Sequence, residues 1–196
     1  DGIKQMAQWD YNCLQADDMG LGKSLQAVGA TSSLEKFPVL IVCPATLKLN
    51  WEREINMWSR KKHSIFVVEG KTITEDYRDY EYVIINYSIL WDHLEYILKH
   101  LKPKVFIADE VHVLKSTGTL VGKYYPGYKL KHDEFIRHDS DIRRVYKLPP
   151  KRVRASLWIT TGLPPDMQER TGITWNGLEH KILLTGTPIQ NHNGDL

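Results

Sequence analysis

Short apolar runs rich in β-branched residues recur along the chain, and between them lie stretches whose apolar positions return with a helical period. Val39-Leu40-Ile41-Val42-Cys43 is the clearest run, apolar at every position, as strands buried on both faces are. Similar short strands are expected at Asn12 to Ala16, Ile65 to Val68, Tyr82 to Ile85, Val105 to Ala108 and Lys181 to Leu184. Helices are expected over residues 2–11, with Ile3, Met6 and Ala7 as the apolar side, and over 24–34, with Leu25, Val28 and Ser32 in period. Gly29 within the second costs about 1 kcal/mol relative to alanine. Two further helices are expected over 47–58, where Leu47, Trp51, Ile55 and Trp58 share a face, and over 89–101. Strands alternating with helices of this length imply parallel βαβ units: an α/β fold in three αβα layers around a mainly parallel sheet. Ligands of such sheets sit at the carboxyl ends of the strands.

The alternation stops between residues 117 and 177. Tyr124-Tyr125-Pro126-Gly127-Tyr128, Pro149-Pro150 and Pro164-Pro165 punctuate a basic, aromatic stretch, read as an irregular insertion at about 118–178 within one domain spanning 1–196. A length of 196 residues with 42% hydrophobic residues supports one well-buried core. The net charge of +2 is mild, yet residues 116–181 hold 12 Lys/Arg against 7 Asp/Glu, so the basic character is local. Lys147, Lys151, Arg152 and Arg154 beside Tyr146 could grip a phosphate backbone or form a solvated loop. Cys13 and Cys43 have no metal-ligand spacing and are expected to be reduced and buried. No apolar run is long enough to span a membrane and no export signal opens the chain, so the expected setting is intracellular, cytoplasmic in a bacterial or viral-host cell rather than nuclear.

Candidate chemistry concentrates at strand ends. Ala16-Asp17-Asp18-Met19-Gly20-Leu21-Gly22-Lys23-Ser24 joins an apolar run to an apolar-periodic helix and reads as a phosphate cradle. Gly20 and Gly22 let the backbone turn tightly, so that amides of Gly20, Leu21 and Gly22 converge on an anion at a helix start. Lys23 would reach the β- and γ-phosphates of ATP, and Ser24 would offer its hydroxyl to Mg²⁺. Asp109 and Glu110, leaving a strand, supply the other two needs of phosphoryl chemistry: Asp109 for the metal shell, Glu110 to orient and deprotonate water. His112, Thr185 and Thr187 are candidates for relaying the nucleotide state between neighbouring strands. Threonines beside a Gly-Pro turn are also simply good turn formers.

Asp-Asp-Met-Gly-Leu-Gly-Lys-Ser with Gln26, Val-Cys-Pro-Ala-Thr-Leu with Asn50-Trp51 and Glu54, Asp-Glu-Val-His with Lys115, and Leu-Leu-Thr-Gly-Thr-Pro-Ile-Gln-Asn resemble, in this order, the motifs of superfamily-two helicases. The likeness is strongest to SWI/SNF-type ATPases, in particular their annealing-helicase branch. It implies the first of two RecA-like lobes of an ATP-driven translocase on double-stranded DNA. By that resemblance Pro44, Ala45, Thr46, Ser88 and Lys115 line the DNA track, where Thr46 and Ser88 could donate to phosphate oxygens without reading sequence. Asp17 stands where the strict cradle pattern has its first glycine. The glutamine that reads adenine in the family would precede Gly2, and the second lobe, which carries the arginine fingers, is absent from these residues. The lobe alone is therefore expected to hydrolyse ATP poorly. Trp158 to Pro164 nearly repeats Leu183 to Pro188, and the second copy is preferred as the genuine motif because it contains Thr187 and is followed by Ile-Gln-Asn. Two other readings stand beside the duplex translocase. One is a strand-separating DExH helicase on RNA or DNA, or a restriction-enzyme motor subunit; the other is a non-hydrolysing module that binds ATP and nucleic acid.

Overall fold

The computed structural model describes residues 2–18, 20–114 and 150–186. The strands are β1 (Asn12–Gln15), β2 (Val39–Cys43), β3 (Ile65–Val67), β4 (Tyr82–Asn86), β5 (Val105–Ala108) and β6 (His180–Leu184). They form one sheet in the order β1-β6-β5-β2-β4-β3, and each neighbouring pair is parallel. Helices α1 (Gly2–Gln8), α2 (Lys23–Leu34), α3 (Lys48–Trp58), α4 (Leu94–Tyr96), α5 (Lys151–Thr161) and α6 (Pro165–Thr171) join them, with short 3-10 turns at Ala45–Leu47 and Val111–Leu114 and a π-helical turn at Ile97–Leu101.

Why β2, β5 and β4 as far as Ile85 carry so few polar residues is plain from the two cores. Val39, Ile41, Cys43, Tyr82, Ile84, Val105 and Ile107 pack with Met6, Val28, Trp51 and Ile55 of α1 to α3. The alternate residues Leu40, Val42, Val83, Ile85, Phe106 and Ala108 pack with Leu94, Ile97 and, from α5, Ala155, Trp158 and Ile159. Successive strand residues point to opposite faces, so an element covered on both sides favours apolar residues at every position, and the buried polar groups of β4, the Tyr82 hydroxyl and Asn86 at its end, find hydrogen-bond partners. The three-layer αβα arrangement expected from the alternation is the one observed.

Three local readings are corrected. The buried side of α2 is Ala27, Val28, Ala30 and Thr31, whereas Leu25 is 39% exposed. Small residues bring α2 close to its neighbours, and Thr31 Oγ1 bonds the Tyr82 hydroxyl at 2.8 Å across that contact. The single helix expected at 89–101 is turns followed by one α-turn, α4, and a π-helical turn over Ile97–Leu101. It closes with Lys102 N donating to Ile97 O at 2.8 Å. The wider turn lets Ile97, Leu98 and Leu101 all enter the core. Finally, where an irregular insertion was expected, the part within the described residues carries α5 and α6. Pro150 caps the first and Pro165 occupies the opening turn of the second, so the proline pairs start helices there rather than breaking a loop. The periodic Ala155, Trp158 and Ile159 were masked in the sequence by Lys151, Arg152 and Arg154 around them. Arg154 itself is buried, its guanidinium 4.6 Å from the Trp91 ring centre, so it is withdrawn from any phosphate-gripping surface.

Candidate functional site

Five strands deliver the candidate residues to one edge. Because every ladder is parallel, β1, β2, β4, β5 and β6 all release their chains at the same end of the sheet. There lie the cradle after Gln15, Pro44 to Thr46 after Cys43, Ser88 just past Asn86, Asp109 and Glu110 after Ala108, and Thr185 after Leu184. Lys115 and Thr187 fall outside the described residues, and Met19 of the cradle does too.

Gly20 and Gly22 have φ of 84° and 72°, the left-handed region that side chains disfavour. Gly22 is the cap of α2, so the chain turns from αL directly into the helix, and Lys23 and Ser24 occupy its first turn, where the backbone amides have no partners within the helix. Lys23 Nζ donates to the carbonyl oxygens of Asp17 and Asp18, both at 2.8 Å. Asp17, the residue in the first-glycine position, accepts from Gln15 Nε2 at 2.8 Å and so fastens the loop to the end of β1. Gln26 Nε2 reaches the Leu21 carbonyl at 3.3 Å from the next turn of α2. Leu21 is 60% exposed.

Asp109 is fixed at every polar group. Its N–H donates to Val42 O at 2.8 Å, its carbonyl accepts from the Tyr87 hydroxyl at 2.7 Å, Oδ1 accepts from Glu110 N–H at 2.9 Å and Oδ2 from Trp51 Nε1 at 2.9 Å. Burial raises its pKa; the Trp51 and Glu110 hydrogen bonds oppose that, the Glu110 charge adds to it, and the Lys23 charge lowers it. The last effect ties Lys23 electrostatically to the carboxylate. Glu110 has φ 51°, an unusual conformation for a side-chain-bearing residue, and its Oε2 lies 3.1 Å from His112 Nδ1. The same nitrogen is 3.5 Å from Thr185 Oγ1, and Thr185 N–H donates to Gln15 O at 3.0 Å. Glu110, His112, Thr185 and the root of the cradle thus form one connected set.

The loops expected to face nucleic acid are also at this edge. Ala45–Leu47 is a single 3-10 turn leading into α3, with Ala45 and Thr46 exposed behind the half-buried Pro44. Ser88 is exposed and bonded by Asn86 Nδ2. The Trp158–Pro164 repeat lies mainly in α5, ending at Gly162, whereas the copy preferred from sequence runs out of β6. Trp51, quoted among the motif residues, and Tyr87, in the segment expected at the DNA track, both bond Asp109, a contact the sequence did not foretell. The signal for Trp51 was its place on the inner face of a helix, since a buried indole N–H needs an acceptor.

Among the described residues no group of three His, Cys, Asp or Glu could bind a metal unaided. The donors present fit Mg²⁺ nonetheless. That ion takes one or two protein oxygens and completes its shell from phosphates and water, which Asp109 and Ser24 satisfy.

A parallel three-layer sheet with a glycine-built cradle after its first strand and an Asp-Glu pair two strands away defines the class of RecA-like ATP-binding lobes. This chain belongs to the SNF2-related domain family, whose family model matches residues 2–132. It is 35% identical over 122 residues to the "DNA annealing helicase and endonuclease ZRANB3" of Bos taurus, covering 59% of this chain and 11% of that protein. A second relative is the Caenorhabditis elegans homologue of SWI/SNF-related matrix-associated actin-dependent regulator of chromatin subfamily A-like protein 1. That match is 32% identical over 126 residues, 59% of this chain and 17% of the relative. The chain thus spans a small part of the relatives it matches. The fold is that of the Sulfolobus solfataricus SWI2/SNF2 ATPase core solved with double-stranded DNA, with a TM-score of 0.61 at 22% identity, 99% of this chain and 31% of that one. The UvsW helicase of bacteriophage T4 is similar at TM-score 0.52 and 12% identity, 94% of this chain and 51% of that one.

Proposed function

We propose that this chain is the ATP-binding lobe of a motor that moves along double-stranded DNA, hydrolysing ATP when joined to a second RecA-like lobe and to DNA. The observation that carries the reading is the shared edge: cradle, Asp109-Glu110 pair, Pro44 to Thr46 and Ser88 all leave the sheet at one end. Membership of the SNF2-related family and the DNA-bound structural relative support it.

In this reading the amides of Gly20, Leu21 and Gly22 and the start of α2 hold the phosphates of ATP. Lys23 exchanges two carbonyl acceptors for phosphate oxygens, which its flexible stem allows. Mg²⁺, held by Ser24 and Asp109, would neutralise phosphate charge. Glu110 accepts the proton of the attacking water, and His112 and Thr185 report its state to β6 and the cradle. Pro44 to Thr46, Ser88 and Lys115 contact the sugar-phosphate backbone, which positions the duplex without selecting sequence. An isolated lobe lacks the charge-stabilising groups that the second lobe would bring, so turnover by this chain alone is expected to be slow. The compartment proposed is intracellular; among the described residues no helix is long and apolar enough to cross a membrane.

The test is the ATPase rate of the full-length protein with and without duplex DNA, beside Glu110→Gln. Stimulation by duplex that disappears in the variant while nucleotide still binds supports the reading. Stimulation by single strands alone favours a strand-separating helicase, and binding without turnover favours a non-hydrolysing module.

A further inference from the structure

Trp51 belongs to neither the cradle nor the Asp-Glu pair, yet its indole ends on the carboxylate expected to hold the metal. It lies on α3, which starts immediately after the turn Ala45–Leu47, and it is 1% exposed. Nε1 donates to Asp109 Oδ2 at 2.9 Å. The other carboxylate oxygen takes the Glu110 amide at 2.9 Å, so the two donors together leave the carboxylate one orientation. Each oxygen keeps a second lone pair, and those are the ones free to face a cation or its water shell. Tyr87 grips the same residue from another side, through its hydroxyl to Asp109 O at 2.7 Å. Trp51 comes from the element that follows Pro44 to Thr46, and Tyr87 precedes Ser88 in the chain. Both segments are those assigned to the DNA track, so each reaches Asp109 by a single side chain.

A buried tryptophan can use any nearby acceptor, and main-chain carbonyls are the commonest supply. Here the acceptor is a half-buried carboxylate. A hydrogen bond to a charged group is shorter and about twice as strong as a neutral one, which makes it a good device for fixing a ligand. Partners that orient metal-ligating side chains in this way tune metal affinity by roughly 10- to 100-fold in other sites.

We propose that Trp51 is a positioning residue: its indole N–H sets the Asp109 carboxylate for Mg²⁺ and makes α3 the link between the Pro44–Thr46 loop and the nucleotide site. The inference rests on the ATP-binding reading given above and adds to it the means by which the DNA-facing loop reaches the metal.

The experiment is equilibrium binding of a fluorescent ATP analogue to the full-length protein across a Mg²⁺ titration and in EDTA, with and without duplex. Three proteins are compared: wild type, Trp51→Phe, and Ile55→Val, which trims the same buried face of α3 without touching a donor. The gain in nucleotide affinity on adding Mg²⁺ is expected to fall about tenfold in Trp51→Phe, as loss of a hydrogen bond to a charge implies, and to hold in Ile55→Val. Duplex is expected to shift the Mg²⁺ midpoint in wild type and not in Trp51→Phe. Should Trp51→Phe not fold, 3-benzothienylalanine at position 51 keeps the fused ring and replaces the N–H by sulfur; it is expected to behave as Trp51→Phe does. Equal Mg²⁺ dependence in wild type and the ring isostere, or equal losses in Trp51→Phe and Ile55→Val, overturns the proposal. Absence of Mg²⁺-dependent nucleotide binding in wild type instead overturns the ATP-binding reading itself.

Discussion

His112 Nδ1 lies 3.1 Å from Glu110 Oε2, and the same nitrogen is 3.5 Å from Thr185 Oγ1, so one ring atom stands between the ends of β5 and β6. A ring nitrogen is a donor in one tautomer and an acceptor in the other, so Nδ1 has one role to offer its two neighbours. The ring is therefore a link between the proposed base and the strand that also anchors the cradle through Thr185 N–H and Gln15 O. His112→Ala is expected to lower duplex-stimulated ATPase about tenfold or more, the loss that a hydrogen bond to a charged group implies. Nucleotide affinity should stay within about twofold, because no cradle group is touched. A parallel loss of affinity, measured by equilibrium binding, would show that His112 supports the pocket rather than the base.

Gly22 and Gly70 have almost the same backbone, φ 72° and 71°, but different duties. Gly22 turns the cradle into α2, whereas Gly70 lies on a loop with open space where its side chain would be. Alanine at either costs roughly 1–2 kcal/mol for forcing a Cβ into the left-handed region. Only Gly22→Ala is expected to weaken ATP binding as well, by about tenfold, since the strain moves amides that must converge on phosphate. Thermal unfolding and nucleotide titration of the two variants separate the shared stability cost from the specific one. Equal ATP affinity in both would remove the cradle from the site.

The legible parts of the fold were those where one sequence feature has one structural use. Val39–Cys43 can only be a strand covered on both faces, and it is. Asp109 and Glu110 follow an equally apolar strand and fall at the predicted edge. What stayed hidden depended on contacts between distant segments. Leu25 has the right period for the core, yet the small residues Ala27 and Ala30 face inward because α2 must sit close to its neighbours. Arg154 looked like surface charge until the Trp91 ring, far off in sequence, gave it a buried place. The hydrogen bond from Trp51 to Asp109 likewise joins positions 58 residues apart, a separation across which sequence spacing says nothing.

The same burial that hides Cys43 and Tyr87 should make the lobe sensitive to alkali. Burial pushes the Cys43 thiol from 9.0 up to about 12, helped by the Asp109 charge and opposed by Lys48. It also pushes the Tyr87 phenol upward, with the Asp109 charge adding to the shift. In both cases the folded pKa lies above the unfolded one, so the native state keeps a proton that the unfolded chain gives up. The resulting stabilisation is fully present below the unfolded values and lost as pH rises through the folded ones, for Cys43 between 9.0 and about 12. Urea midpoints should therefore fall between about pH 8 and about pH 10.5, more steeply in wild type than in Cys43→Ala. Identical slopes would mean that the thiol titrates alike in both states.

Removing the whole stretch from 118 to 178 suggests itself as a test of the basic insertion, but the described part of that stretch is structural. Ala155, Trp158, Ile159, Leu163, Ile173 and Leu178 are buried in the core beside β5 and α4. Gly177 has φ 91°, and a Cβ there would lie 2.7 Å from the Thr161 carbonyl carbon, main chain that cannot step aside. Gly172, at φ 66°, faces open space. Gly177→Ala is accordingly expected to destabilise the lobe by at least 1–3 kcal/mol, the usual scale of stored backbone strain, and by more than Gly172→Ala. Trp158→Ala should cost about 3–5 kcal/mol, as loss of a buried aromatic does. Thermal melts of the three variants check the order Trp158→Ala, Gly177→Ala, Gly172→Ala from most to least destabilised. If Gly177→Ala and Trp158→Ala melt with wild type, α5 and α6 are not docked on the sheet. Any DNA role of this stretch is then better tested on its exposed charges: Lys151→Glu leaves the buried face intact and, if that surface meets phosphate, weakens duplex binding in a salt-dependent way.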